Sequence, residues 1–170
     1  MKFKLFPILI VFAIICSCSK DDETPIFIEP NINPVGSYLL TGFNTAIPTD
    51  LNFDGKTSTN QILETDCYDY FILTIKSDGT FVNNNKLAVK NPASTSLTCN
   101  QGSDIFGTYT VTGKTVTLKY LLNGVEKILN LKSNSSQILT SDAIRMLIAS
   151  SYQNQIISVS SNVEYVFTKK

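Results

Sequence analysis

Asp50, Asn52 and Asp54, oxygen-bearing side chains at alternate positions followed by Gly55, are the residues of this chain best spaced to do chemistry. Hard carboxylate and amide oxygens spaced by two, with a glycine for the sharp bend, match the opening of a calcium loop. The Lys56 carbonyl would then fall at the seventh position of that loop. Gln61 stands at the twelfth, where a bidentate glutamate belongs, so an ion held here is expected to be weakly bound and structural. Glu64 or Asp66 could replace it only in a longer loop. The same residues also suit an Asx-rich turn that merely reverses the chain. Asp66 and Asp69 flank Cys67 and Tyr68, but paired-carboxylate catalysis needs two acids fixed beside a cleft, and nothing in the spacing fixes these. Histidine is absent, which removes Ser-His-Asp and Cys-His nucleophiles and histidine-held zinc. Glycine-rich phosphate loops are absent too, and the expected protein is not an enzyme.

These residues sit in a chain of 170, 43% hydrophobic, in which 14 Lys and Arg balance 14 Asp and Glu. That length suits one domain with a real core, and the even charge gives nucleic acid no surface to bind. The first residues differ in character. Lys2 and Lys4 precede an apolar run from Leu5 to Ile15, shorter than the roughly 20 helical residues that cross a bilayer, so residues 1–17 read as a signal peptide. Ile15-Cys16-Ser17-Cys18 resembles the bacterial lipobox. The resemblance implies that Cys18 becomes the lipidated N-terminus, since cleavage before Cys16 would place bulky Ile15 where a small residue is needed. Several acyl chains would then hold the protein on its membrane.

Ser19, Lys20, Asp21, Asp22 and Glu23 resemble the acidic export signal of Gram-negative surface lipoproteins. That implies an outer-membrane lipoprotein exposed at the cell surface, with the periplasmic leaflet as the alternative. Residues 18–33, with Pro25 and Pro30, read as the lipidated cysteine and a flexible tether, roughly 50 Å long at full stretch. If Cys16 is removed and Cys18 lipidated, two thiols, Cys67 and Cys99, remain in an oxidising compartment, where a disulfide is the expected outcome. Closing that span of 32 residues stabilises a fold by about 3 to 4 kcal/mol in the loop-entropy estimate.

From Val35 onward the apolar residues recur every second position. Phe71, Leu73 and Ile75 alternate with Ile72, Thr74 and Lys76 before the turn Ser77-Asp78-Gly79, and Tyr109 and Val111 continue through Thr112-Gly113-Lys114 into Val116, Leu118 and Tyr120. Asn123-Gly124 is the strongest hairpin signal, because a type I′ turn needs positive φ at both central residues. Val163, Tyr165 and Phe167 close the pattern. Strands of this kind must close into a barrel or stack as a β-sandwich. One short helix is possible near 141–152, with Ser141-Asp142 as its cap and Ala143, Ile144, Leu147 and Ile148 on one stripe; a strand is the alternative there.

Gly36-Ser37-Tyr38, Lys76-Ser77-Asp78-Gly79-Thr80-Phe81 and the segment from Phe106 to Leu118 resemble recurring motifs of bacterial lipocalin-like lipoproteins. The similarity spans about Pro34 to Leu131 and implies an all-β fold, a lipocalin-like antiparallel β-barrel over residues 34–170. Two positions depart from the pattern. Tyr38 stands where lipocalins keep a tryptophan, and Arg145, the single arginine, lies outside the final strand, where those proteins use one to close the barrel base. The implied role is non-enzymatic binding of a small apolar ligand. The alternative is a surface interaction module, an accessory subunit or adhesin, with a solid core. Tyr38, Phe43, Tyr68, Tyr70, Phe71, Phe81, Tyr109, Tyr120, Tyr165 and Phe167 either fill that core or line a cavity; the ligand-binding residues themselves are not legible.

Overall fold

The computed structural model describes residues 31–170. Its strands are β1 (Gly36–Thr49), β2 (Ser58–Asn60), β3 (Ile72–Ile75), β4 (Thr80–Asn83), β5 (Lys86–Lys90), β6 (Leu97–Gln101), β7 (Ile105–Thr112), β8 (Thr115–Leu122), β9 (Val125–Ser135), β10 (Ile138–Ser141), β11 (Ile144–Tyr152) and β12 (Gln155–Lys169). Eight of them, β1, β3, β4, β7, β8, β9, β10 and β12, pair antiparallel in chain order, and β12 returns to β1 to close the barrel. Closure removes the sheet edges that an open sheet of alternating strands would expose. The remaining strands decorate this frame.

The alternation seen in the sequence is the alternation of burial. Leu73, Ile75, Phe81, Val116, Leu118, Leu131, Leu139, Val163 and Phe167 all point inward and are almost fully buried. In β1 the phase switches. Thr41 is an extra residue between the pairs Leu40–Phe167 and Gly42–Val166, so Tyr38 and Leu40 face inward before it and Phe43 and Thr45 after it. The bulge lets one 14-residue strand bend around the barrel while keeping its apolar side inside.

One end of the barrel, the base, is shut. Asn31–Pro34 cross it, with Ile32 N–H donating to Gly113 O at 3.1 Å and the Gly113 N–H to Asn31 Oδ1 at 2.7 Å. The Tyr38 hydroxyl donates to Pro34 O at 2.8 Å. Lys169, at the end of β12, lies with its Nζ 5.7 Å from the centre of the Tyr38 ring and donates to Val35 O at 2.8 Å. The final strand thus carries a cation at the base, a lysine and not an arginine.

The segment left open between a short helix and a strand is the strand β11. It pairs with β12 from Ile144–Val163 to Tyr152–Gln155, and the two form an arm whose tip, Gln153-Asn154, has positive φ at both residues. The cap residues are engaged across strands instead: Ser141 Oγ accepts the Tyr165 N–H at 2.8 Å, and Asp142 pairs with Lys132 at 2.7 Å. Leu147, which a helical stripe would bury, is 70% exposed. Pairing with a 15-residue neighbour outweighs local helical spacing in a segment this short.

Candidate functional site

The barrel core is solid at the base and open at the other end, the mouth. Below, Tyr38, Leu73, Ile75, Val116, Leu131 and Leu139 fill the cross-section. Above, a cavity of ≈ 320 Å³ is walled by Phe71, Phe81, Leu118, Leu129, Tyr165 and Phe167, all inward-facing residues of barrel strands or of the segment entering β3. That volume lies within the range of small-molecule sites, about 300–1,000 Å³. The expected aromatic set divides along this line. Tyr38, Phe43 and Tyr68 are packed core; Phe71, Phe81, Tyr120, Tyr165 and Phe167 line the cavity; Tyr109 is half-buried against the core with its hydroxyl donating to Lys76 O; Tyr70 is on the surface at 69% exposure.

The cavity is open because two neighbouring strands part. β9 pairs with β10 as far as Leu131–Ser141, and a last bond joins Asp142 N–H to Asn130 O. Beyond it, Val125–Leu129 of β9 pairs with β8 and β11 pairs with β12, without a ladder between them. Lys127 and Ile128 on one side of the gap and Ile144, Arg145 and Met146 on the other all line the cavity. Leu87 of the β5–β6 hairpin reaches it from above.

A disulfide holds that hairpin in place. Cys67, in the 3-10 turn Asp66–Tyr68, is bonded to Cys99 of β6, as expected of the two thiols. The arm is tied to the same region: Ile156 N–H donates to Thr95 O at 2.8 Å, and buried Gln61 donates to Ala149 O at 2.8 Å while accepting the Tyr68 hydroxyl at 2.6 Å.

Polar side chains share the lining: Asn83, Asn85, Tyr120 and Tyr165, with Lys127 and Arg145 at the gap. Asn83, 9% exposed, points into it from β4, and its Oδ1 is the buried side-chain oxygen among the described residues that lacks a hydrogen-bond partner. The Tyr165 hydroxyl has only the Met146 sulfur, a weak acceptor, at 3.3 Å. Burial pushes the Tyr165 and Tyr68 phenols well above the ordinary tyrosine range, so both stay protonated at any physiological pH. A second hollow, ≈ 450 Å³, lies at the base beside Ile32, Pro34 and Leu139 and the Ser133–Ser136 turn, and it offers no comparable orphaned group among the described residues.

The Asp50 loop turns its oxygens onto its own backbone. Asp50 accepts from the Asp54 and Gly55 N–H groups, Asn52 from the Asp54 N–H, and Asp54 from the Lys56 N–H, at 2.8–3.1 Å. These are Asx turns. Glu64, rather than Asp66, folds back to the loop, and its Oε2 accepts the Leu51 N–H at 3.1 Å. Burial raises the Glu64 carboxyl above its usual range, and the Asp50 and Asp54 charges push the same way. No group of three or more His, Cys, Asp or Glu among the described residues is placed to hold a metal ion. Asp66 and Asp69 are exposed, outside the cavity. Cys18 and Ser19–Glu23 lie outside the described residues.

Nothing in the sequence singled out Asn83. Its signal is visible only in the fold: an asparagine at an inward position between Phe81 and Ile105.

The fold and the cavity define the class: an eight-stranded, antiparallel, lipocalin-like barrel with an interior open at one end. No protein-family model matches the chain. No curated protein and no solved structure matches it either.

Proposed function

We propose that this protein is a non-enzymatic lipoprotein of the bacterial outer membrane whose barrel mouth holds a small, mainly apolar molecule. The observation that carries the reading is the aromatic and aliphatic hollow of ≈ 320 Å³ inside the barrel mouth. A barrel built only to be a platform would gain stability by filling that space, since unfilled volume forfeits packing. The lipid anchor at Cys18 and surface exposure rest on the lipobox-like and acidic segments at the N-terminus.

Native mass spectrometry of protein taken from its own cells tests the binding reading. A retained small molecule, lost in Ile144→Trp, which pushes an indole into the gap between β9 and β11, is the expected result. An empty wild-type protein that also ignores apolar probes would overturn it. The alternative, an interaction module, draws on Phe106 and Leu121, which flank the Gly107–Tyr120 pair and are 67% and 69% exposed. Those two side chains lie on the outer face and make no use of the hollow.

A further inference from the structure

We infer that the molecule held in the mouth is an amphipathic anion, and that Lys127 binds its charged head while the apolar body fills the hollow. The inference rests on the binding reading and specifies the class of ligand. Leu131, Leu129 and Lys127 follow one another at every second position of β9, and the two leucines are buried. Lys127 pairs with Tyr120, two residues further along than the inward Leu118–Leu129 pair, so it stands on the inner wall of the barrel. An apolar residue there would continue the pattern of the strand. The chain places a charge instead.

That charge is unanswered among the described residues: Lys127 makes no ion pair or hydrogen bond there, and no Asp or Glu lines the hollow. Glu126, the adjacent acid, pairs with Leu121 on the outer face. The Tyr120 hydroxyl, opposite Lys127, also has no acceptor among the described residues, and burial raises the phenol so that it stays a donor. Directly opposed side chains stand about 5 Å apart at Cβ, so an ammonium and a hydroxyl can meet one carboxylate here. Arg145, across the gap, donates from Nε to Ser160 Oγ at 3.0 Å and adds to the positive potential. Below the head, Phe71, Phe81, Leu118 and Phe167 give the body an apolar wall. Lys127 is exposed to water at the rim, so pairing it with an anion carries less desolvation cost than a sealed ion pair would.

The test compares three probes that share one ring system, 2-naphthoate, 2-methylnaphthalene and 2-naphthylmethylammonium, on the purified full chain. The protein has no tryptophan, so quenching of its tyrosine fluorescence reports binding near Tyr120 and Tyr165. The expected result is that the carboxylate binds about tenfold or more tightly than the ammonium probe, the worth of one charge-assisted hydrogen bond. In Lys127→Met, which keeps an apolar stem and removes the charge, that preference disappears while 2-methylnaphthalene binds as before. Equal affinity, or none, for the two charged probes in a wild-type protein that takes up 2-methylnaphthalene overturns the inference and leaves the binding reading intact. That result would follow if Lys127 only guards the free edge of β9, and it needs no variant to fold. An anion preference that survives Lys127→Met also overturns the inference. Failure of all three probes to bind overturns the binding reading and this inference together.

Discussion

Lys169 ties the last strand to the first at the base, although β12 contains no arginine. It does so with two contacts, a face-on approach to Tyr38 and a hydrogen bond to Val35 O. Room for its stem comes from Gly36, where a Cβ would lie 2.5 Å from Lys169 Cε. Lys169→Ala should lower stability by about 1 to 2 kcal/mol, the sum of a partly exposed cation–π contact and a charged hydrogen bond. Lys169→Arg should retain most of it. Urea denaturation midpoints read both, and an alanine variant as stable as wild type would show that the base closes without this side chain. At Asp50, Asn52 and Asp54 the calcium-like residue types were legible, but their oxygens are spent on the amides of their own turn.

Among the elements, strands with strict alternation were legible, and those with mixed faces were not. β3, β4, β7, β8 and the second half of β12 have one wet and one dry side, so period two follows directly. The turn at Asn123-Gly124 has φ of 52° and 76°, the left-handed geometry its sequence favours. β11 escaped because its arm leaves the barrel halfway. Ile148, Ala149 and Ser150 are buried in succession as it crosses onto Leu51 and the β5–β6 hairpin, which erases the alternation. The hairpin itself is short, with most of its residues half-exposed, and its turn signal, Asn91-Pro92, is flanked by no strict alternation. Its order depends on the Cys67–Cys99 bond. Replacing both cysteines with serine should cost about 3 kcal/mol. Amide exchange should rise in Lys86–Gln101 more than in the barrel strands, because the hairpin pairs with no barrel strand. Uniform exchange across the molecule would mean the bridge supports the whole barrel equally.

For the molecule as a whole, the all-β class followed from the strand pattern, which left barrel and β-sandwich open; only the family resemblance pointed to the barrel that is found, and neither pointed to the cavity. Inward faces look alike whether they meet in the middle or stop short of it, and only the parting of β9 from β11 decides which happens. Attachment belongs to this scale too. Cys18→Ala should move the protein from the membrane to the soluble fraction. Alanine at Lys20, Asp21, Asp22 and Glu23 should protect it from externally added protease without releasing it. Fractionation and protease accessibility check the two, and a Cys18→Ala protein that stays with membranes would remove the anchor from the reading.

The described chain begins across the closed base, at the end opposite the hollow. On the proposed anchor, a barrel attached from its N-terminal side would have its mouth at the end away from the attachment point. Cargo would then exchange through water or a facing protein while the barrel stayed on its membrane.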